Sequence, residues 1–331
     1  MSSILTNVPA LAALQTLRTI DKNLEETQGR VSSGLKVQEA ADNASYWAIS
    51  TSMKSDEGAL STVVDALGLG AAKADTTYAG LNQSLELIKT IKNKLVTANE
   101  TGVDKSKVGR EIEELKAQLI NVAQTSSFSG ENWLYNNSIQ SPGTKQMVGS
   151  FTRAADGSVS VQTIDFNANE SVMIDTKDAA KGLLTSRHDV PNLNGTGTRG
   201  FYLLNVSSTT GVNANLGTGT GATAVAAEIV VNSSTSEEDV KLMLSAVEQL
   251  VTSLIDVAAT IGAAKSRIDS QTSFVKELLS VLDKGIGQLV DAEMNEESTR
   301  LKALQTQQQL GIQSLSIANT NASNILQLFR Q

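Results

Sequence analysis

VKLMLSAVEQLVTSLIDVAATIGAAKSRIDSQTSFVKELLSVLDKGIGQL, residues 240–289, keeps one hydrophobic phase from end to end. Val240, Leu244, Val247, Val251, Leu254, Ala258, Ile261, Ile268, Val275, Leu279, Leu282, Ile286 and Leu289 recur in alternating steps of four and three, broken by Lys265 and Thr272. A seam repeating every ~3.5 residues specifies a helix that packs along its length against another. At ~1.5 Å of rise per residue the stretch predicts a helix of roughly 75 Å, which makes a rod.

Nearer the N-terminus a matching seam runs through Leu60, Val64, Leu67, Ala71, Ala74, Tyr78, Leu81, Leu85, Ile88 and Leu95, with Lys92 out of character. A shorter one follows in Val108, Ile112, Leu115, Leu119 and Val122. Beyond residue 290 the phase is lost across 291–298. It resumes at Leu301 and Leu304 and continues through Leu315, Ala318, Ala322, Ile325 and Phe329. The other end mirrors this: Ala10, Ala13, Leu17, Ile20, Leu24 and Val31 share a register that stops in 34–43. Each flank therefore predicts two helical segments joined by a break, with terminal segments paired to each other and inner segments likewise. The three prolines, Pro9, Pro142 and Pro191, leave 10–141 and everything after 191 free of the strongest helix breaker.

The centre differs in kind. Residues 136–236 are rich in Gly, Ser, Thr and Asn; 158–164, 201–206 and 225–231 read as strands, and 211–223 as a low-complexity loop. The expected fold is mainly α, a long antiparallel coiled-coil rod built from both chain ends, with a small β-rich central region standing off its end. The expected division is a terminal unit of 1–40 with 291–331, a helical rod of 41–176 with 237–290 carrying a β-hairpin, and a small outer domain of 177–236.

Composition agrees with narrow apolar seams, since aromatic residues make up only 4% of the chain. A net charge of −8 disfavours nucleic acid as a partner, which needs clustered Lys and Arg. With no cysteine, disulfides and thiolate metal sites are excluded. His188 is the only histidine, so two-histidine zinc motifs are impossible. It sits in a polar stretch expected to be a solvated loop. The carboxylates Asp291, Glu293, Glu296 and Glu297 read as a solvated helical face, since charged side chains are mostly exposed. The repeat of Gly217, Gly219 and Gly221 lacks the lysine and the setting of a phosphate loop. No catalytic, metal or cofactor site is expected. Residues 1–7 show neither a basic region nor a small-residue cleavage site, so export, where it occurs, is expected to read no cleaved signal.

The ends carry apolar residues off the seam as well: Leu11 and Leu14 on one, Leu310, Ile312, Ile317, Leu326 and Leu328 on the other. Charge there is sparse, with Gln305, Gln307, Gln308 and Gln309 where Lys or Glu is usual. A helix apolar on more than one side needs more than one partner. Burial inside the chain's own core is one reading; burial between subunits is the one favoured here. Without a basic polar face, membrane binding is not expected. The candidate polymerisation interface is Leu11, Leu14, Leu17, Leu24, Val31, Leu301, Leu304, Leu310, Leu315, Ile325, Leu326, Leu328 and Phe329.

Four segments carry a family resemblance. Residues 30–44, RVSSGLKVQEAADNA, are similar to the bacterial flagellin segment in which a Ser-Ser/Thr-Gly pair precedes a basic residue and an Ala-x-Asp-Asp-Ala stretch. Residues 128–134, FSGENWL, resemble its Phe-Asn-Gly-x-x-Leu-Leu turn, and 261–268, IGAAKSRI, its Gly-Ala-x-x-x-Arg signature. The closing run 319–330 resembles the family's C-terminus. The resemblance implies a subunit of the extracellular flagellar filament that polymerises with itself or related flagellins. Its ends fold on assembly, and it is exported unfolded with a chaperone and meets filament-cap and hook–filament junction proteins. A hook–filament junction protein and a secreted coiled-coil adhesin or translocator are the alternatives.

The family's Asp-Asp-Ala-Ala-Gly segment is here Asp42, Asn43, Ala44, Ser45 and Tyr46, which implies weak perception by plant receptors. The family's Arg-x-Arg-Glu pattern, which engages the animal receptor, aligns with Lys89, Thr90, Ile91 and Lys92, which implies poor activation.

Overall fold

The computed structural model describes residues 7–154, 156–192, 197–205 and 226–328, with side chains as far as Thr320. Among the described residues, five α-helices and nine strands divide between two compact units. One comprises Met1–Ala59 with Leu278–Gln331, the other Leu60–Glu277. The fold is mainly α with a small β-rich centre, as the seams predict.

In the first unit, α1 (Val8–Ser33) starts behind Asn7, whose side chain accepts the Ala10 N–H at 3.1 Å, with Pro9 in the first turn. It stops at Gly34, which takes φ 76° and returns its N–H to the Arg30 carbonyl. Only a residue without Cβ holds that left-handed cap cheaply. α5 (Met294–Leu328) runs antiparallel to α1: Asn7 Nδ2 donates to the Ala318 carbonyl at 3.1 Å, and Gln308 Nε2 to Asp21 at 2.7 Å. The two predicted breaks lie side by side. Lys36 N–H donates to the Val290 carbonyl at 2.7 Å, and Ala292 N–H to the Gly34 carbonyl at 2.8 Å. A small cluster of Val37, Ile286 and Val290, flanked by Leu35, Met53 and Leu289, seals them.

α2 (Ala44–Ala98), α3 (Lys105–Thr125) and α4 (Glu237–Val290) build the second unit, α2 and α4 also contributing to the first. Within it α2 and α4 are antiparallel, since Lys92 pairs with Glu248 and Lys265 with Asp75. The α2 seam differs from the predicted one in half its positions. Leu60, Leu67, Ala74, Leu81, Ile88 and Leu95 are buried, but their alternates are Val63, Gly70, Thr77, Ser84, Ile91 and Ala98. Val64, Ala71, Leu85 and Lys92 lie at the flank, and Tyr78 is exposed. The seam needs small residues there: a Cβ on Gly70 would meet the Met147 sulfur, and Ser84 Oγ satisfies itself on the Gly80 carbonyl at 2.8 Å. Hydrophobicity alone therefore picked the wrong neighbour. On α4, Met243, Leu250 and Val257 are buried beside Val240, Val247, Leu254 and Ile261; of the expected alternates Val251 is buried as well, while Leu244 and Ala258 lie at the flank.

The β segments do not stand clear of the helices. β1 (Ser127–Phe128) and β2 (Glu131–Asn132) form a minimal hairpin at the predicted turn. Ser129 and Gly130 there take φ 52° and 82°, the left-handed pair of a type I′ turn. β3 (Tyr135–Asn136) pairs in parallel with β6 (Ile174–Asp175). β4 (Thr144–Arg153) pairs antiparallel with β5 (Val159–Asn167) across a bulge between Val148 and Ser150. β7 (His188–Pro191), β8 (Thr198–Tyr202) and β9 (Ala227–Glu228) form the last sheet in that order.

These segments pack onto α2 and α3. Met147 lies against Gly70, Lys116 pairs with Glu113 at 2.9 Å and Glu228 at 3.0 Å, and Trp133 stacks on Phe166 with centroids 4.7 Å apart. The strand expected at 158–164 is β5, shifted and lengthened. That expected at 201–206 survives as the end of β8, and that at 225–231 shortens to β9, with Ile229 and Val231 still buried. The low-complexity loop lies outside the described residues. His188, expected in a solvated loop, opens β7 half-buried with Nε2 2.9 Å from the Leu183 carbonyl oxygen.

Candidate assembly interface

The paired helices α1 and α5 present one shared seam and one bare surface. Inward-facing positions on α5 are Glu297, Leu301, Leu304, Gln308, Gly311, Leu315 and Ala318, spaced by alternate fours and threes. On α1 they are Ala10, Ala13, Leu17, Ile20, Leu24, Thr27 and Val31, spaced the same way. Thus the structure brings together Leu17, Leu24, Val31, Leu301, Leu304 and Leu315. Leu304 is buried inside the chain, so it serves the intramolecular seam and not a surface. The other five are half-buried. Two helices alone cover one stripe of each other, and the half-buried seam residues keep an uncovered flank.

Outside the seam, Leu11, Leu14 and Leu310 are exposed, Leu310 at 59%. Val8, Ile312 and Ile317 join them, Ile317 at 62%. Backbone helix continues to Leu328, but the side chains of Ile325, Leu326 and Leu328, and Phe329 altogether, lie outside the described residues. The electrostatics match the apolar surface. No charged side chain occurs from Met1 to Leu17, or between Lys302 and Arg330. An uncharged helix can be buried on every side without stranding an ion, which costs several kcal/mol per charge. Covering the six exposed apolar side chains would contribute on the order of 10 kcal/mol per chain, before ordering costs.

Sequence reasoning missed Glu297, Thr27 and Gly311. Glu297 was grouped with its exposed neighbours, yet it is 6% exposed, with Oε1 3.4 Å from Arg30 Nη1 and 3.8 Å from Arg300 Nη1. Its partners Asp291, Glu293 and Glu296 are exposed as expected. The signal available was spacing: Glu297 is one step of four before Leu301. Gly311 is a notch, because a Cβ there would sit 3.4 Å from Leu17 Cγ.

The segments assigned to receptor recognition occupy two different settings. Asn43 caps α2, its Oδ1 accepting the Tyr46 N–H at 3.1 Å, while Ser45 and Tyr46 are exposed. Beside them, the N–H groups of Gln38 and then Glu39 hold the Asp42 carboxyl below its ordinary pKa. Lys89 is exposed and pairs with Glu86 at 2.8 Å, and Lys92 pairs with Glu248. Ile91 is fully buried in the α2 seam, so it offers nothing to a receptor on the folded chain.

Among the described residues no group of three His, Asp or Glu side chains comes together that could hold a metal. Among the described residues, α4 alone is long and apolar enough by length and composition to cross a membrane. Its apolar stripe is instead the buried seam of the second unit, from Val240 to Val275.

Residues 4–138 match the family model of the bacterial flagellin N-terminal helical region, and residues 244–329 that of the C-terminal helical region. Flagellin C of Rhizobium meliloti (strain 1021) is 54% identical over 334 residues, spanning all of both chains. Flagellin D of that strain is 46% identical over 403 residues, and a flagellin of Brucella melitensis biotype 1 is 41% identical over 332, again across both full lengths.

Proposed function

The chain belongs to the bacterial flagellin family, and on that premise we propose that it polymerises through the surfaces of α1 and α5 left bare in the single chain. As a flagellin it is a structural subunit of the extracellular flagellar filament, the propeller of a swimming cell. The observation that supports the route of assembly is the run between Lys302 and Arg330, which has no charge and exposes Leu310, Ile312 and Ile317. Residues 1–40 and 291–331 form the wall that polymerises, 41–176 with 237–290 stiffen the subunit, and 177–236 face outward. Its mechanism is mechanical: subunits stacked into a tube transmit torque without chemistry of their own. The ends, too poor in self-contained core to order alone, fold as subunits dock. This state also suits export as an unfolded chain without a cleaved signal, with an export chaperone, a filament cap and junction proteins as partners.

Seeded growth followed by electron microscopy tests the reading. Full-length protein is expected to extend filament seeds, and a chain ending before Leu301 is expected not to. Equal growth from both would place the interface elsewhere; growth from neither would favour the junction-protein alternative.

The departures at Asn43, Ser45 and Tyr46, and at Lys89 and Lys92, also support weak perception by the plant and animal receptors for flagellin. A peptide of residues 28–50 that triggers full plant-cell responses, or strong reporter-cell signalling by the monomer, would contradict this.

A further inference from the structure

The seam between α1 and α5 does not by its apolar residues choose a single alignment. Apart from Thr27 on α1 and Glu297, Gln308 and Gly311 on α5, the steps of four and three are filled by Ala, Leu, Ile and Val, and sliding α5 by one heptad still opposes Leu17 to Leu304 or Val31 to Leu304. Beyond Lys302 the described part of α5 carries no charge, and its polar contacts to α1, Gln308 with the exposed Asp21 and Ala318 with Asn7, are hydrogen bonds that water can replace after a slip.

Glu297 breaks that degeneracy. Its carboxylate is 92% buried as a side chain, and Oε2 is sealed from solvent with no hydrogen-bond partner. Compensation therefore rests on Oε1, facing Arg30 of α1 at 3.4 Å and Arg300 of its own helix at 3.8 Å. Sliding α5 by a heptad would leave Arg30 opposite Leu304 in one direction and beyond the first residue of α5 in the other. Glu297 would keep only Arg300, and a buried carboxylate robbed of its main partner is strongly penalised. A buried polar group in an apolar seam is the known physical means of fixing register at some cost in stability.

We propose that the buried Glu297 carboxylate, clamped by Arg30, sets the register in which α1 and α5 pair, and so the single surface each subunit offers its neighbours. This rests on the assembly reading above. Gly311, which receives Leu17, marks the same register farther along but carries no comparable penalty when vacated.

The absence of cysteine makes the register directly readable. Leu17→Cys with Gly311→Cys reports the native alignment, and Leu17→Cys with Leu304→Cys an alignment slipped by one heptad. Each pair is placed in wild-type, Glu297→Leu, Glu297→Gln and Glu296→Gln backgrounds. These chains are doped at low ratio into wild-type filaments, and intramolecular disulfide is measured. With Glu297 intact, and in the exposed-site control Glu296→Gln, only the native pair is expected to cross-link. With Glu297→Leu the ratio of slipped to native cross-link is expected to rise about tenfold, and with Glu297→Gln less. Exclusion of both Glu297 variants from filaments that accept Glu296→Gln supports the same role. Native-only cross-linking in either Glu297 variant overturns the proposal. Failure of the unsubstituted chain to form filaments would overturn the assembly reading instead.

Discussion

The pair of α1 with α5 and the pair of α2 with α4 are written in the same heptad language, yet they end in different states of completion. Along α2, Leu67, Leu81, Ile88, Ile91 and Leu95 are fully buried, because α3, α4 and the β segments close over that helix. On α1, by contrast, Thr27 alone is buried, and the leucines of the seam are only half covered. Charge follows the same division. The second unit spends lysines on cross-helix pairs such as Lys92 with Glu248, whereas the far part of α5 has no charge to spend. A seam supports a folded unit only when other elements cover its flanks. The second unit carries its own cover, and the bare flanks of the first are the surfaces that we propose other subunits cover.

The sharpest way to break that contrast is to damage the complete unit. At Gly109 on α3 an added Cβ would collide with the Val231 backbone carbonyl, which cannot rotate away. Gly109→Ala is expected to cost about 3 kcal/mol, the upper range for overpacking, read by denaturant titration of Trp133 fluorescence in the monomer. A change under about 1 kcal/mol would mean that the β segments are not locked onto α3.

A smaller effect should separate the two units by assay. Leu310→Ser removes an exposed apolar side chain, so monomer stability is expected to stay constant while the critical concentration for filament growth rises about tenfold. Leu304→Ala, inside the seam, is expected to leave the monomer unchanged too, since its ends pair only on assembly, and to raise the critical concentration further by opening a cavity in the α1–α5 pair. A loss of monomer stability from Leu304→Ala would mean that the seam is already formed in the single chain.

The smallest expected effect comes from acid. The Glu131 carboxyl sits below its ordinary pKa, chiefly through its hydrogen bond from Lys73 at 3.0 Å, with Lys145 adding to it. A depressed folded-state pKa gives stability that is present above the unfolded value and lost as pH falls through the folded one. Acidification below about pH 4 is therefore expected to loosen the β1–β2 turn by well under 1 kcal/mol, given the partial exposure of the pair. Glu131→Gln should flatten that part of the pH profile, and an unchanged profile would remove the pair from the account.

Much of this was legible in sequence because helices advertise themselves by period. The break at 34–43 and the antiparallel pairing follow from spacing, and the turn after Phe128 from the family resemblance; the break expected at 291–298 is shorter, since α5 already starts at Met294 and its first turn is helical but polar. What was not legible has a physical pattern. Seam positions filled by Gly70, Thr77 and Ser84 were misassigned to Tyr78 and Leu85, since close helix approach favours small residues that a hydrophobicity count skips. Glu297 looked like lost phase because a charge in a seam is rare and its partner Arg30 lies at the other end of the chain. The parallel pairing of β3 with β6 rests on two-residue strands far apart in sequence, too short for any periodicity. On the interface, Leu11, Leu14 and Leu310 stand where a surface was expected, and Leu304 turned inward.

The claim that the first unit is completed by neighbours is tested most directly by amide hydrogen exchange on monomer and filament side by side. The account predicts rapid exchange throughout α1 and α5 in the monomer and strong protection of both in the filament. α3 and residues 60–98 of α2 should be protected in each. Protection of α1 and α5 in the monomer equal to that of α3 would contradict it, because the ends would then be stable without partners.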